Sequence, residues 1–500
     1  MGHYQGKGAH AKAKRVLLLF PPLNNLVFFG VFEPLIMEIL SAIAKEEGCE
    51  VELIDLRLDR RGCERLAKRG YVPDIIGLTT RGFPEVPRVN DVARKCKKLW
   101  PNSPLIVGGG QATVTPQLFE QQHIDLLVRG PGERIWRDLC RDGIEGGACR
   151  IVEDPHPPRV YSYPLPDRQI TAKYRKHYVT NIPHHSGRRW GGNGRTGFTL
   201  LTQGCPFRCS FCVIWPATLG LYRKRLIPDI VADLASMEER YIYIGDDNTF
   251  ADARWADDLA DAIKAAGIQK EISNYCRADH ICKHPELFKK WHTIGLRYLV
   301  VGVEAVSSET LKRFNKKTDL EQNVQPLKIM REIGIFAIPH MIVAQDMKPK
   351  DFDDILEFIN ENECEYPVTI PLTPLPGTAD YEMYQSQGKI VTDKLQFYTF
   401  MYNVIEPAHM TLQEFDRRYD RLIFRTWSWS RFFRGKCGET TFFAFAKWWV
   451  FVRLLILQLR WKRREIYRDA LKPRRAKPIS GPLLRISPQQ PVKGSPVEVA

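Results

Sequence analysis

The chain has 500 residues, 44% of them hydrophobic, which suits two or three domains with sizeable cores. Its 12 cysteines are scattered apart from one short run, and in so long a chain they do not make a disulfide framework. Residues 1–14 form a polar, basic tail with no apolar stretch, so a secretory signal is not expected. Gly6 stands where a myristoylation motif needs Ser or Thr. A reducing cytoplasm is the expected home. The net charge of +15 is concentrated: residues 417–477 hold 18 Lys and Arg against 4 Asp and Glu, a net +14. Such a surface predicts an anionic partner, either membrane or nucleic acid.

A first domain is expected over 15–146. The apolar run 15–20 ends in Pro21-Pro22 and reads as a buried parallel strand. A helix follows at 33–47, stopped by Gly48. Strands are predicted at 51–55, 75–79, 105–107 and 124–128, with helices at 86–99, 116–122 and 133–140. That alternation predicts an α/β, doubly wound parallel sheet. Ligands bind such sheets beyond the carboxyl ends of the strands. Thr79, Thr80 and Arg81 fall there, as do Gly108, Gly109, Gly110, Gln111, Ala112 and Thr113. Glycines let backbone approach a ligand closely; a tight turn without a ligand is the alternative. Residues 147–195 read as a linker rich in Pro, Gly, His and Arg. His184 and His185 are expected to be solvated or to gate substrate there.

A second domain is expected over 196–376. Cys205-Pro206-Phe207-Arg208-Cys209-Ser210-Phe211-Cys212 places three cysteines at C-x3-C-x2-C spacing and no fourth. Iron–sulfur clusters are usually held by four thiolates, so a [4Fe–4S] cluster on these three keeps one iron open. A zinc site and unliganded core cysteines are the alternatives; structural zinc wants four ligands, and no second cysteine cluster lies nearby. The spacing, with Phe211 before the last cysteine, resembles the radical S-adenosylmethionine (SAM) superfamily. The resemblance implies that SAM binds the open iron and is cleaved to a 5′-deoxyadenosyl radical. Strands at 198–202, 241–245, 271–275, 298–302, 336–343 and 368–371, with helices at 227–240 and 253–266 among them, predict a partial or full (β/α) barrel with its site at the strands' carboxyl ends. Gly245, Asp246, Asp247 and Asn248 resemble the family's segment that meets the SAM amino group; helix capping is the alternative. Arg277 and Asp279 end the third strand. Glu304, in a Gly-x-Glu-x-x-Ser-like segment, is implied to help hold SAM, and Pro339 to Val343 to meet its adenine.

The N-terminal loops resemble the cobalamin-binding domain that precedes many such cores. Gly108 to Thr113 match its Gly-Gly-x-x-Ala-Thr loop, and Arg129-Gly130-Pro131-Gly132-Glu133 its Arg-Gly-x-Gly-Glu turn. The Asp-x-His-x-x-Gly motif is absent. Asp154-Pro155-His156 lies outside the domain and is followed by Pro157-Pro158-Arg159. If cobalamin binds, histidine from that motif is not its lower ligand.

Residues 377–472 are expected to be helical, with a densely apolar and aromatic stretch at 440–461. Lys447 and Arg453 argue against spanning a bilayer, since each mid-helix charge costs about 2.5–3.5 kcal/mol on the insertion scale. Lys447, Arg453 and Arg460 fall in one sector of about 140° at helical spacing. An in-plane interfacial helix is predicted, with a buried core helix as the alternative. Residues 473–500, rich in Pro, Ser and Gly, read as disordered.

The whole resembles cobalamin-dependent radical SAM methylases. It implies [4Fe–4S], SAM and cobalamin as cofactors, a flavodoxin- or ferredoxin-like electron donor, and methyl transfer to an unactivated carbon. The apolar, basic tail favours a lipid or polycyclic substrate, as in hopanoid methylases, with peripheral contact at the inner membrane surface. A non-methylating ring-forming enzyme, like the anaerobic magnesium-protoporphyrin cyclase, is the alternative. RNA modification ranks below both, because Cys49, Cys63 and Cys96 lack cluster spacing, and a non-enzymatic cobalamin-responsive membrane scaffold sits poorly with intact cluster ligands.

Overall fold

Two parallel sheets form the frame of the computed structural model, and short apolar runs such as residues 16–20 and 75–78 supply their central strands. The structure describes residues 14–22, 30–144, 146–180, 195–316, 318–437 and 442–472. In the first sheet β1 (Arg15–Phe20) lies between β2 (Glu50–Asp55) and β3 (Ile75–Thr80), with Leu18 opposite both Leu53 and Gly77. β4 (Leu105–Gly109), β5 (Leu126–Arg129) and β6 (Arg150–Glu153) continue it in the order β2-β1-β3-β4-β5-β6. Helices bury both faces: Ile43 and Trp136 pack with Leu18 on one side, Val89 and Cys96 with Leu17 on the other. That double coverage is why the strands read as continuous apolar runs.

Three features depart from the sequence pattern. The helix expected at 116–122 is two 3₁₀ turns, Pro116–Leu118 and Gln121–His123. A short helix, α2 (Gly110–Val114), forms instead inside the expected glycine loop; α1 is Leu35–Glu46. Residues 62–68, with no expected element, form another helix. β6 comes from the expected linker; its mixed Arg-Ile-Val-Glu sequence suits an exposed edge and hides the strand.

The linker is structured where it is described. Val160–Tyr161 pairs with Arg223–Arg225, and Val179–Thr180 with Gly30–Val31. Arg168 lies buried between the halves of the molecule, bonded to Glu33 of the first and, at 2.9 Å, to Asp233 of the second. Burial pushes the Glu38 carboxyl beside it well above the usual range. His184, His185, the tail 1–13 and residues 473–500 lie outside the described residues.

The second sheet runs in sequence order: β7 (Thr196–Thr199), β8 (Tyr241–Ile244), β9 (Glu271–Arg277), β10 (Leu296–Glu304), β11 (Phe336–Val343) and β12 (Val368–Pro371). Six parallel strands in this order make a partial barrel. One face packs on helices. The other carries Phe198, Tyr243, Tyr275, Val300 and Ile338, and Phe32 from the first half packs there, tilted, with its ring centroid 4.7 Å from Tyr243. Short helices α3 (Ile214–Ala217) and α5 (Ser308–Arg313) and the longer α4 (Ile227–Ser236) join the strands.

Beyond the barrel, α6 (Leu412–Thr426) and the 29-residue α7 (Phe442–Ala470) pack together. Buried Arg463 reaches Asp420 at 2.8 Å, and Tyr467 donates to Asp416 at 2.7 Å. Phe445, Trp448, Val452 and Ile456 are buried against Tyr366 and Trp427. This side of the helix belongs to the core, as the core-helix alternative has it. The opposite sector, which holds exposed Lys447, Arg453 and Arg460, also exposes Val450, Leu454, Leu457 and Trp461. Among the described residues, no helix is long and apolar enough to cross a membrane.

Candidate active site

The three cysteines lie on the loop between β7 and α3. Cys209 is buried; Cys205 and Cys212 are half-buried. The loop turns at Gly204 (φ 83°), where a Cβ would stand 2.1 Å from the Leu221 carbonyl. Neighbouring backbone grips it: Ser210 N–H donates to Phe314 O at 3.1 Å, and Asn315 Nδ2 to Arg208 O at 3.0 Å. Two donors face the sulfurs. Asn248 Nδ2 lies 3.6 Å from Cys205 Sγ, and Arg277 Nη1 lies 3.7 Å from Cys209 Sγ. Burial pushes the Cys205 and Cys212 thiols up, so without a metal they stay protonated. Iron that displaces those protons, with amide and guanidinium donors stabilising the sulfur charge, fits this donor set. Among the described residues, no three His, Cys, Asp or Glu side chains converge on a single-ion position.

The expected SAM segment follows β8. Gly245 must be glycine, because a Cβ would meet the Phe198 ring at 2.4 Å. Asp246 turns inward. It accepts from Leu201 N, Thr202 N, Thr202 Oγ1 and Thr249 Oγ1 at 2.7–2.9 Å. Its side chain is fully used inside the protein, and burial holds its carboxyl at about 6. Asp247 accepts from Gly204 N at 2.9 Å. The helix cap is Asp252, not this segment. Asn248 keeps a buried Oδ1 with no partner among the described residues. Phe211 packs edge-on against Phe314, at 5.0 Å.

Arg277 pairs with Asp279 at 2.9 Å and lies over the Phe207 ring at 3.7 Å. Glu304 ends β10 and pairs with buried Lys316 at 2.7 Å. On β11, His340 sits opposite Gly302, and burial lowers its imidazole to about 4. Sequence reasoning missed Lys316 and His280. The latter is buried, is lowered to about 4, and has its ring 5.6 Å from Phe207. His280 adjoins the Arg277-x-Asp279 pair, which was a usable signal; Lys316 lies in an irregular turn that carries none.

In the first domain, Thr80 Oγ1 donates to Gly108 O at 3.3 Å, and Thr79 and Thr80 are buried. Gly109 has φ 102°, and a Cβ there would stand 2.2 Å from Thr80 O. Thr113 joins the two glycine motifs by accepting from Gly130 N at 2.8 Å. Gln111 is buried with Oε1 unpartnered among the described residues. Arg81 is engaged locally, paired with Glu85 at 2.5 Å and lying 4.5 Å over the Phe20 ring. A glycine loop that excludes a side chain at Gly109 and leaves open backbone at Gly108 and Gly110, with an orphaned buried carboxamide oxygen at Gln111, fits a large polar-rimmed cofactor such as cobalamin.

These two loops meet. α2 packs on α3, the helix directly after Cys212; a Cβ on Gly110 would contact Ala217 at 3.6 Å, and one on Gly130 would strike Leu219 at 2.7 Å.

Residues 199–359 match the Radical SAM superfamily and residues 23–139 the B12 binding domain. The chain is 26% identical to the hopanoid C-3 methylase of Methylococcus capsulatus over 79% of its own length and 76% of the relative's. It is 23% identical to the anaerobic magnesium-protoporphyrin IX monomethyl ester cyclase of Cereibacter sphaeroides over 77% and 65%. In fold it is similar to the radical SAM methyltransferase TsrM of Kitasatospora setae, solved with cobalamin and a [4Fe–4S] cluster (TM-score 0.60, 20% identity, 82% and 85% covered). It is also similar to the cobalamin-dependent radical enzyme OxsB (TM-score 0.55, 18% identity, 71% and 53% covered). With a B12 binding domain ahead of a radical SAM core in one chain, the protein belongs to the cobalamin-binding radical SAM enzymes, whose cofactors are a [4Fe–4S] cluster, SAM and cobalamin.

Proposed function

We propose that the protein is a C-methyltransferase acting on an unactivated carbon of an apolar lipid or polycyclic metabolite. The observation that carries this is the apposition of the glycine cradle at α2 and the cysteine loop at α3, which lets two cofactors face one substrate. Bound together, the cluster and SAM supply a hydrogen-abstracting radical, and cobalamin supplies the methyl group. The chain's own part is positioning. Cys205, Cys209 and Cys212 hold the cluster and leave one iron open. Asn248 and Arg277 donate to the sulfurs; the backbone of Gly245 to Asn248, held by the internal bonds of Asp246 and Asp247, and the Glu304 carboxylate orient SAM. Thr79, Thr80, Gly108, Gly109, Gly110, Gln111 and Thr113 line cobalamin.

The substrate class is supported by the inward face of the barrel. Phe32, Phe198, Tyr243, Val300 and Ile338 present aromatic and aliphatic surface there, and His340 stays neutral at working pH. Dry surroundings of this kind protect a radical from water. The similarity to a hopanoid methylase points the same way. A small flavodoxin- or ferredoxin-like donor reduces the cluster, and the enzyme works in the cytoplasm with the exposed side of α7 against the inner membrane surface.

The test is an anaerobic incubation of reconstituted enzyme, cobalamin, reductant and methyl-labelled SAM with a lipid extract. Labelled lipid, 5′-deoxyadenosine and S-adenosylhomocysteine should appear together. Deoxyadenosine without S-adenosylhomocysteine would overturn methyl transfer in favour of cyclase-like chemistry.

A further inference from the structure

The turn after α5 touches both halves of the SAM-cleaving site. Its Phe314 and Asn315 hold the cysteine loop through Ser210 and Arg208. Its next residue, Lys316, is 3% exposed and makes two contacts of opposite kind. Its Nζ donates to Glu304 Oε1 at 2.7 Å, and its carbonyl accepts from Arg277 Nη2 at 2.7 Å. Arg277 in turn donates to Cys209 Sγ. One buried lysine therefore joins the glutamate at the end of β10 to the arginine beside a cysteine of the loop.

Glu304 needs such a partner. Its backbone sits at φ 64°, where a side chain costs about 1–3 kcal/mol. The pairing of β10 with β11 slips between Gly302 and Glu304, and a bulge of this kind re-aims a side chain. The carboxylate folds back over Gly302, where a Cβ would strike Glu304 Oε1 at 2.5 Å and Lys316 Nζ at 3.0 Å. Glu304 Oε2 has no hydrogen-bond donor among the described residues.

We propose that Lys316 is a positioning residue: it fixes one oxygen of Glu304 so that the other is presented to SAM, and it couples that carboxylate to the cysteine loop through Arg277. The proposal rests on Glu304 meeting SAM, but not on methyl transfer. A side chain that merely filled space would be replaceable by methionine; a buried cation holding a strained carboxylate is not.

The test compares Lys316→Met, Lys316→Arg and Glu304→Gln as cluster-reconstituted, cobalamin-loaded full-length protein. Iron content should stay at the wild-type level in all three. SAM affinity should fall in Lys316→Met, and the change SAM induces in the electron paramagnetic resonance of the reduced cluster should need correspondingly more SAM. A weakening of about ten- to a hundredfold is expected for one buried charge-assisted hydrogen bond. Lys316→Arg should recover most of it. The Lys316→Met, Glu304→Gln double variant should be no weaker than either single one, because both act through one carboxylate. Unchanged SAM affinity in Lys316→Met, or additive losses in the double variant, would overturn the proposal. If Lys316→Met fails to fold, Lys316→Arg and Glu304→Gln decide it: an arginine variant as weak as Glu304→Gln would refute positioning through charge. Wild-type enzyme that binds SAM but never methylates would count against the proposed function alone.

Discussion

Single residues here divide by what surrounds their polar atoms. Asp246 and Asn248 lie two positions apart in the one segment expected to meet SAM, yet their side chains do different work. Asp246 is saturated by four internal donors, whereas Asn248 reaches Cys205 and keeps an oxygen with no partner among the described residues. No spacing rule separates the two, because the distinction depends on the Thr202 turn arriving from another strand. It has a consequence for pH. Burial raises the Asp246 carboxyl from 3.8 to about 6, so folding favours its protonated form. Its contribution to stability is present in acid and is lost as pH rises through about 6. Urea midpoints of wild type and Asp246→Asn, measured from pH 5 to 7.5, should therefore converge as pH rises. A gap constant across that range would disprove the assignment. For Cys209→Ala, whose side chain is small and loop-bound, the expected result is a folded protein with no 5′-deoxyadenosine. Circular dichroism with product analysis checks both halves; deoxyadenosine at wild-type levels would exclude this loop as the cluster site.

At the level of elements, periodicity located strands well and loops poorly. The central strands of the first sheet are legible because parallel strands covered on both faces are uninterrupted apolar runs, as in Leu17 to Phe20, whereas β9 alternates polar and apolar residues. β6 is not legible, since its residues are half polar and lie at an edge. The glycine-rich sequence predicts a loop, but Gly110–Val114 is helical. A short helix opened by glycine has no amphipathic signature, so only tertiary packing against α3 selects it. The cradle's glycines have separable roles. At Gly109 a Cβ would collide with Thr80 O, and φ 102° disfavours any side chain. Gly109→Ala should therefore distort the turn, at a cost of about 1–3 kcal/mol. Cobalamin retention on gel filtration, followed by visible absorbance, should fall sharply while cluster iron remains. Full retention would mean that this cradle does not carry the corrin.

Across the whole molecule, the concentration of positive charge in the last quarter of the sequence was plain, but its geometry was not. An aromatic helix with scattered basic residues can be a core element or a surface one, and α7 is both. Its Phe445–Trp448–Val452–Ile456 side closes the core beside β12, and the buried Arg463 bond to Asp420 fixes its rotation about its axis. That rotation leaves Val450, Leu454, Leu457 and Trp461 outward as one line at helical spacing. Lys447, Arg453 and Arg464 flank them, also exposed. Aliphatic side chains between basic rims match the headgroup boundary of an anionic bilayer, with Trp461 at the interface. Such contact would hold by burial of the line and by attraction to lipid charge, so each part is separately testable. Full-length enzyme should sediment with phosphatidylglycerol-containing vesicles and much less with neutral ones. Replacing Leu454 and Leu457 by Asp removes roughly 3 kcal/mol of burial, about a hundredfold in partitioning. Raised salt should weaken binding of the wild type by screening the basic rim. Because the substituted side chains point away from the core, SAM cleavage by the same variant should be unchanged in detergent solution. Equal sedimentation of the variant and wild type would remove this face as the membrane contact.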